Sequence, residues 1–507
     1  MTSHNHLVAA LRASSMGRED ALFAKTSAGE TVSYGAFFAG AEKMAAALVS
    51  LGVQPGDRVA VQIEKSVEAL QLYVGAVMAG GVFLPLNTGY TAAEVEYFLT
   101  DAAPTVAICD PASHTALSPV AAKAGVAHLM TMDGAGEGSF RDNVNAAEAG
   151  FTPLPRGEDD LAAILYTSGT TGRSKGAMMS HRNLASNAST LAGLWGFTKD
   201  DVLIHALPIF HTHGLFVATN VALMSGCALH FMAKFDADEV LSAMPTATAL
   251  MGVPTFYTRL LKADALAEAS RNMRLFISGS APLLAETHDQ WRATTGHAIL
   301  ERYGMTETNM ITSNPLDGDR RAGTVGFPLP GVDVKITNPE TGAEMPEGEP
   351  GVIEVRGPNV FSGYWNMPEK TKEELRADGF FITGDIAMRD DRGYISIIGR
   401  AKDLIITGGY NVYPKEIELL IDDIDGVLES AVVAAPHPDF GEAVVAVVVP
   451  QAAGSVEISA IEAAAAASLA RYKQPKHIVL AEELPRNTMG KVQKNVLRDQ
   501  FKALFNS

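Results

Sequence analysis

The apolar run Leu161-Ala162-Ala163-Ile164-Leu165 leads directly into Tyr166–Lys175, YTSGTTGRSK. Five apolar residues in succession predict a short strand buried on both faces. The ten residues that follow hold two glycines, six hydroxyl side chains and two cations. Glycine lets a backbone bend tightly and approach a ligand closely. Successive N–H groups in such a turn form a concave anion site, and Arg173 and Lys175 add positive charge. The natural guest is a polyphosphate. A buried strand that delivers such a loop points to a layered α/β domain, in which ligands sit at the carboxyl ends of strands. The loop is not a Walker A sequence, which needs G-x-x-x-x-G-K-[ST]. Its order is Gly169, Gly172, Lys175, Gly176. Read alone, the segment also fits a Ser/Thr/Gly-rich surface turn, so the rest of the chain decides.

The surrounding pattern supports the layered reading. Asp57–Ile63 predicts a strand, Ser66–Met78 a helix, and Thr105–Cys109, His128–Met132 and Met273–Ser278 further strands. From about Gly326 to Arg400 the chain turns often and alternates in short strands (VDVKI, GVIEVRG, GYISIIG), which predicts an all-β subdomain. From Lys402 a smaller α+β unit follows. Its strands are Ala431–Ala435 and Ala443–Val449, and Ser459-Ala460-Ile461-Glu462 reads as a capping box on an alanine-rich helix. Pro485–Lys494 reads as an exposed loop. The expected fold class is α/β: a large multi-subdomain N-terminal domain (1–401) and a small mobile α+β C-terminal domain (402–507).

Composition narrows the partners. A net charge of −18 argues against a nucleic-acid surface, and any anionic ligand must be held by a local cationic pocket. Two cysteines, Cys109 and Cys227, give neither a disulfide framework nor a metal spacing. The longest apolar stretch, Tyr73–Leu86, is broken by Gly75, Gly80 and Gly81 and is too short to cross a bilayer. The N-terminus lacks a signal-peptide pattern. The expectation is a soluble, cytoplasmic protein that acts on small molecules, with no nucleic-acid or membrane partner.

Six motifs occur in order: YTSGTTGRSKGAMMSH, FHTHG, ERYGMTET, FITGD, GRAKDLIITGGYNVYPKEIE and PRNTMGK. Together they resemble the acyl-adenylate-forming superfamily, and within it the acyl-CoA synthetases, over about Tyr34 to Leu497. The resemblance implies two half-reactions. A carboxylate attacks the α-phosphate of ATP and releases pyrophosphate; a thiolate of coenzyme A then attacks the acyl carbon and releases AMP. It also implies roles for particular residues. Thr167, Ser168, Gly169, Thr170, Thr171, Gly172 and Lys175 would cradle the β- and γ-phosphates. Thr306 and Glu307 would hold the α-phosphate and Mg²⁺. Tyr303 and Gly279, Ser280, Ala281 and Pro282 would flank adenine, and Asp385 and Arg400 would contact the ribose. Lys491 would bridge the reacting carboxylate and the α-phosphate, Lys402 would be the hinge, and Gly409 would pack the pantetheine of coenzyme A. His211 would line the acyl pocket and His213 would be structural. With His205 these histidines do not make a standard metal spacing.

Arg302 addresses the substrate. It precedes Tyr303, where many relatives that activate uncharged acids carry a small or apolar residue. A guanidinium fork suits a second carboxylate, unless Glu301 or Glu307 pairs with it. ERYGMTET with FHTHGLF resembles malonyl-CoA synthetases. The implied substrate is malonate, with methylmalonate secondary, its distal carboxylate meeting Arg302, His211 and Ser280. A short-chain monocarboxylate ligase and a carrier-protein-loading enzyme are the alternatives. Acylation of Lys491 by a lysine acyltransferase would remove its charge and act as an off-switch.

Overall fold

A computed structural model describes residues 4–167, 174–339, 341–407, 410–487 and 490–505. The chain forms two compact units. The first comprises Met1–Ala322, Gly326–Asp333 and Val355–Phe381; the second comprises Gly323–Val325, Val334–Glu354 and Ile382–Ser507. The expected boundary at residues 401 and 402 falls inside the second unit.

The first unit is built on two sheets. In one, the order is His128–Thr131, Val106–Cys109, Arg58–Gln62, Val82–Pro85, Leu161–Thr167, Lys175–Ser180. All its pairings are parallel except the last. The other runs Phe327–Pro328, Asn309–Ser313, Leu300–Met305, Leu275–Ser278, Ala249–Gly252, Val202–His205, Ala228–Phe231, Leu22–Thr26, Thr31–Ser33. Its interior is parallel, and its edge strands are antiparallel. Interior strands such as Leu275–Ser278 and Ala249–Gly252 are buried along their whole length, which is why they read as unbroken apolar runs. The helix expected from Ser66 forms over Val67–Met78, with the Ser66 hydroxyl accepting from the Ala69 N–H. Among the described residues no helix is long and apolar enough to cross a membrane.

Two local expectations are corrected. The stretch read as all-β contains a helix, Pro368–Glu374. Proline at its start is pre-set for the first turn, and the charged straight-chain residues after it are good helix formers. The capping box at Ser459 does not form: the helix spans Ile458–Ser468, with Glu457 before it and no side-chain cap. Val456 and Ile461 are buried in the same apolar cluster, and that anchoring sets the helix start.

In the second unit, Val427–His437 pairs antiparallel with Gly441–Pro450. His477–Leu480 joins the latter strand in parallel. Alternation sorts the side chains: Val432, Val444, Ala446 and Val448 pack with Ile417, Ile421 and Ile461, whereas Val433, Val445, Val447 and Val449 pack with Leu484, Leu497 and Phe501. The sheet is therefore covered by helices Pro414–Asp422 and Ile458–Ser468 on one face and Lys494–Phe501 on the other.

Candidate active site

Both sequence-predicted loops leave the carboxyl ends of strands. Thr167 closes the strand Leu161–Thr167. Ser168, Gly169, Thr170, Thr171, Gly172 and Arg173 lie outside the described residues. The flanks are anchored: Tyr97 donates to the Ser174 carbonyl at 2.7 Å and Tyr166 to Asp101 Oδ2 at 2.5 Å. Lys175 begins the returning strand, and its ammonium lies 3.0 Å from the Tyr364 hydroxyl and 3.2 Å from a Glu374 carboxylate oxygen. Segment 362–365 runs along that strand. The Met178 N–H bonds to the Gly363 carbonyl and the Trp365 N–H to the Gly176 carbonyl, which sets Tyr364 beside Lys175.

Thr306 and Glu307 sit in the turn between strands Leu300–Met305 and Asn309–Ser313. The hairpin is tight. A Cβ on Gly304 would lie 2.0 Å from the Asn309 carbonyl oxygen, so only glycine fits there. The Phe361 N–H binds the Glu307 carbonyl at 2.8 Å, and Asn359 Nδ2 binds the Thr308 carbonyl at 2.7 Å, fixing the turn. Glu307 is 4% exposed, and the Tyr364 hydroxyl lies 3.0 Å from its Oε1. Burial pushes its carboxyl above the usual range against a weaker pull from hydrogen bonds and Lys175. A buried carboxylate is an oxygen donor of the kind a hard divalent cation takes, with phosphate and water completing the shell. Glu307 therefore fits Mg²⁺.

Arg302 lies on the same strand, 3% exposed. Its guanidinium packs flat against Gly279, where a Cβ would be only 2.3 Å from Cζ. Nε and Nη2 have no hydrogen-bond partner among the described residues. Glu301 Oε1 takes the Leu283 N–H and Glu307 takes the Tyr364 hydroxyl, so the adjacent Glu301 acts on Arg302 through its charge. Burial pulls the Arg302 pKa down to about 9, so it stays charged at neutral pH. Ser280 follows Gly279 with φ +71°, a conformation that costs a non-glycine residue energy and clusters at functional sites. Its hydroxyl lies 3.2 Å from His213 Nδ1.

His213 thus joins this cluster, although the sequence suggested a structural role for it. It opens a π-helical turn, His213–Thr219, of the kind that often marks functional sites. Gly214 is obligatory there, since a Cβ would lie 2.1 Å from the Pro208 carbonyl oxygen. Burial, then the neighbouring Arg302 charge, holds His213 well below the ordinary histidine range and hence neutral. His211 lies just before the turn, its ring 4.6 Å from that of Phe210, and its carbonyl accepts the Leu215 N–H. His205 is pinned by Lys65, whose ammonium is 2.8 Å from its carbonyl oxygen and 3.1 Å from Nδ1. Tyr303 follows Arg302 on the strand, and Ala281 and Pro282 continue the Ser280 bend.

The second unit holds the remaining candidates. Asp385 and Arg400 are paired across adjacent strands, with Arg400 Nε 2.9 Å from Asp385 Oδ1. Lys402 occupies the turn Ala401–Asp403, whose Asp403 is held by Arg498 at 2.5 Å. Lys491 is exposed on a tight turn. The Asn487 N–H binds its carbonyl and its own N–H binds Asn487 Oδ1, both at 2.9 Å. The region read as loop is thus partly built, since Arg486 bridges Val492 and Lys494 starts a helix, its ammonium on Glu418 at 2.5 Å. Gly409 lies outside the described residues.

The AMP-binding enzyme model matches residues 11–365, and the model of the AMP-binding enzyme C-terminal domain matches 416–491. The chain belongs to the AMP-binding enzyme family and is an AMP-forming acid–CoA ligase. Within that family it is similar to malonate–CoA ligases. It is 35% identical over 486 residues to malonate–CoA ligase of Arabidopsis thaliana, covering 88% of this chain and 78% of the relative. It is 37% identical over 465 residues to the mitochondrial malonate–CoA ligase ACSF3 of Mus musculus, covering 84% and 78%. The crystal structure of ATP-bound MatB from Rhodopseudomonas palustris matches over the full length of both chains, with 57% identity and a TM-score of 0.97.

Proposed function

We propose that the protein joins malonate to coenzyme A with ATP. One malonate carboxylate attacks the α-phosphate, giving malonyl-AMP as pyrophosphate departs. The coenzyme A thiolate then attacks the acyl carbon, the acyl–oxygen bond breaks, and AMP departs. Activation is needed because a carboxylate is a poor electrophile and its mixed anhydride with AMP a good one. The observation that carries the substrate assignment is Arg302, a buried guanidinium with two donor nitrogens unmatched among the described residues. A buried fork of this kind suits a second carboxylate, with Ser280 and His213 beside it as neutral hydrogen-bonding groups and His211 close in sequence. The relatives' names point the same way. Methylmalonate is the secondary substrate in this reading; a monocarboxylate would leave Arg302 unmatched.

The other roles follow the motifs. Lys175 and the residues from Thr167 to Gly172 receive the β- and γ-phosphates, and Thr306 and Glu307 the α-phosphate. Mg²⁺ held at Glu307 would neutralise phosphate charge. Tyr303 and Gly279–Pro282 flank adenine, and Asp385 and Arg400 address the ribose, whose hydroxyls need acceptor oxygens of the kind a carboxylate supplies. Lys491 serves adenylation, Lys402 is the pivot between 1–401 and 402–507, and Gly409 admits coenzyme A. Acylation of the exposed Lys491 would abolish its charge, and a lysine acyltransferase is the partner that chemistry suggests. Two free, buried cysteines suit a reducing cytoplasm.

Malonate-dependent exchange of labelled pyrophosphate into ATP tests the first half-reaction. Exchange that needs malonate and Mg²⁺ supports the proposal, and exchange with acetate or butyrate but none with malonate overturns the substrate assignment.

A further inference from the structure

Tyr364 lies 189 residues from Lys175 in sequence and 57 from Glu307, yet its hydroxyl touches both. It is 2% exposed. Around the one phenolic oxygen stand Lys175 Nζ at 3.0 Å, Glu307 Oε1 at 3.0 Å and Glu374 Oε2 at 2.6 Å. Glu374 also takes Lys175 directly at 3.2 Å and Lys370 at 3.0 Å. The arrangement is held from behind, as the Tyr364 N–H binds Thr371 Oγ1 at 2.9 Å and that hydroxyl binds the Met367 carbonyl at 3.0 Å. The ring also lies under the Lys175 ammonium, 4.1 Å from its centroid.

A phenol has one proton and accepts through its lone pairs. Lys175, a donor only, uses the acceptor side. Two carboxyl groups then compete for one O–H, so Tyr364 can donate to Glu307 or to Glu374 but not fully to both. The shorter contact goes to Glu374. A cation on Glu307 would make that carboxylate a poorer acceptor and commit the Tyr364 proton to Glu374. Glu374 would then bind Lys175 less strongly, freeing the ammonium for phosphate.

We infer that Tyr364 and Glu374 are positioning residues that couple the carboxylate of Glu307 to the ammonium of Lys175, so that the divalent cation and the nucleotide polyphosphate are bound cooperatively. The inference rests on the proposed roles of Glu307 and Lys175. Neither residue need touch the reacting atoms. Glu374 acts as the internal counter-ion of Lys175 until phosphate replaces it, and Tyr364 carries the signal between the two carboxylates.

The test is calorimetric titration of ATP into the full chain, with Mg²⁺ and with EDTA, and the readout is the ratio of the two dissociation constants. Wild type should show a clear gain from Mg²⁺. Tyr364→Phe keeps the ring and removes only the hydroxyl; it should reduce that gain about tenfold, the usual scale of one such coupling. Glu374→Gln should tighten metal-free ATP several-fold, because Lys175 loses a competitor, and should likewise shrink the gain. In the double variant the two losses of gain should not add. A merely structural role would lower Tm and weaken ATP equally in both buffers. An unchanged ratio in Tyr364→Phe with ATP still bound overturns the coupling alone. Wild type that binds no ATP in either buffer overturns the proposed function itself.

Discussion

Replacing Arg302 with methionine separates substrate recognition from folding. In the free protein the guanidinium is buried with Nε and Nη2 unmatched among the described residues, and burial lowers its pKa to about 9. That drop corresponds to on the order of 5 kcal/mol of unfavourable solvation for the charged form. Methionine removes the charge and keeps an unbranched apolar chain. The substitution should therefore leave Tm unchanged or raise it, whereas most buried substitutions lower it. With malonate bound, the same change strands a carboxylate without its cation. Breaking a buried pair costs about 3–5 kcal/mol, a fall in malonate kcat/KM of roughly 10²- to 10³-fold or more. Acetate and butyrate offer no second charge, so their kcat/KM should hold or improve. Thioester formation measured by loss of free coenzyme A thiol, with each acid on both proteins, gives the ratio directly. Equal losses on malonate and butyrate would refute the reasoning, because they would show that Arg302 supports the fold or the adenylation step and not the distal carboxylate.

Gly279→Ala should push the guanidinium out of place, since the new Cβ would lie 2.3 Å from Arg302 Cζ. Overpacking of about 1–3 kcal/mol predicts a loss of roughly 10- to 100-fold for malonate, read by the same assay and smaller for butyrate. Lys491→Ala should block pyrophosphate exchange yet still form thioester from supplied malonyl-AMP, as measured by single-turnover chromatography. Acid should destabilise the protein through its buried histidines. Burial pulls His181 down to about 3 and holds His205 and His213 well below 6.5. The unfolded chain then binds more protons, so stability falls as pH drops below about 6.5, by up to roughly 1.4 kcal/mol per pH unit for each histidine. Denaturant midpoints between pH 7.5 and 4.5 should fall accordingly, and less steeply in His181→Asn.

What could be read from the sequence was whatever depended on near neighbours. The strand leading into Tyr166–Lys175 was legible because a short run of five apolar residues ending in a Gly-rich turn fits a buried strand better than a helix. The helix over Val67–Met78 was legible too, because its pattern is local; the structure adds the Ser66 hydroxyl that accepts from the Ala69 N–H. The Ser459 cap failed because burial of Val456 and Ile461 outweighed a single hydroxyl bond in choosing where the helix begins. Arg302 was singled out by its place in a motif, but its unmatched donors emerged only once Gly279 was seen pressed against it. His213 was missed as a partner of Ser280 because a π-helical turn changes which way side chains point, and no local spacing announces one. Tyr364 and Glu374 gave no signal at all. They reach Lys175 across 189 and 199 residues, and only the strand pairing at Gly363–Trp365 brings them there.

The most direct measurement is a side-by-side comparison of kcat/KM for acetate, butyrate, malonate, methylmalonate and succinate in coenzyme A thioester formation by the wild-type chain. Malonate should be highest, methylmalonate next, and both monocarboxylates at least about 10²-fold lower, on the scale of one unpaired buried charge. Acetate or butyrate turned over as well as malonate would contradict that order.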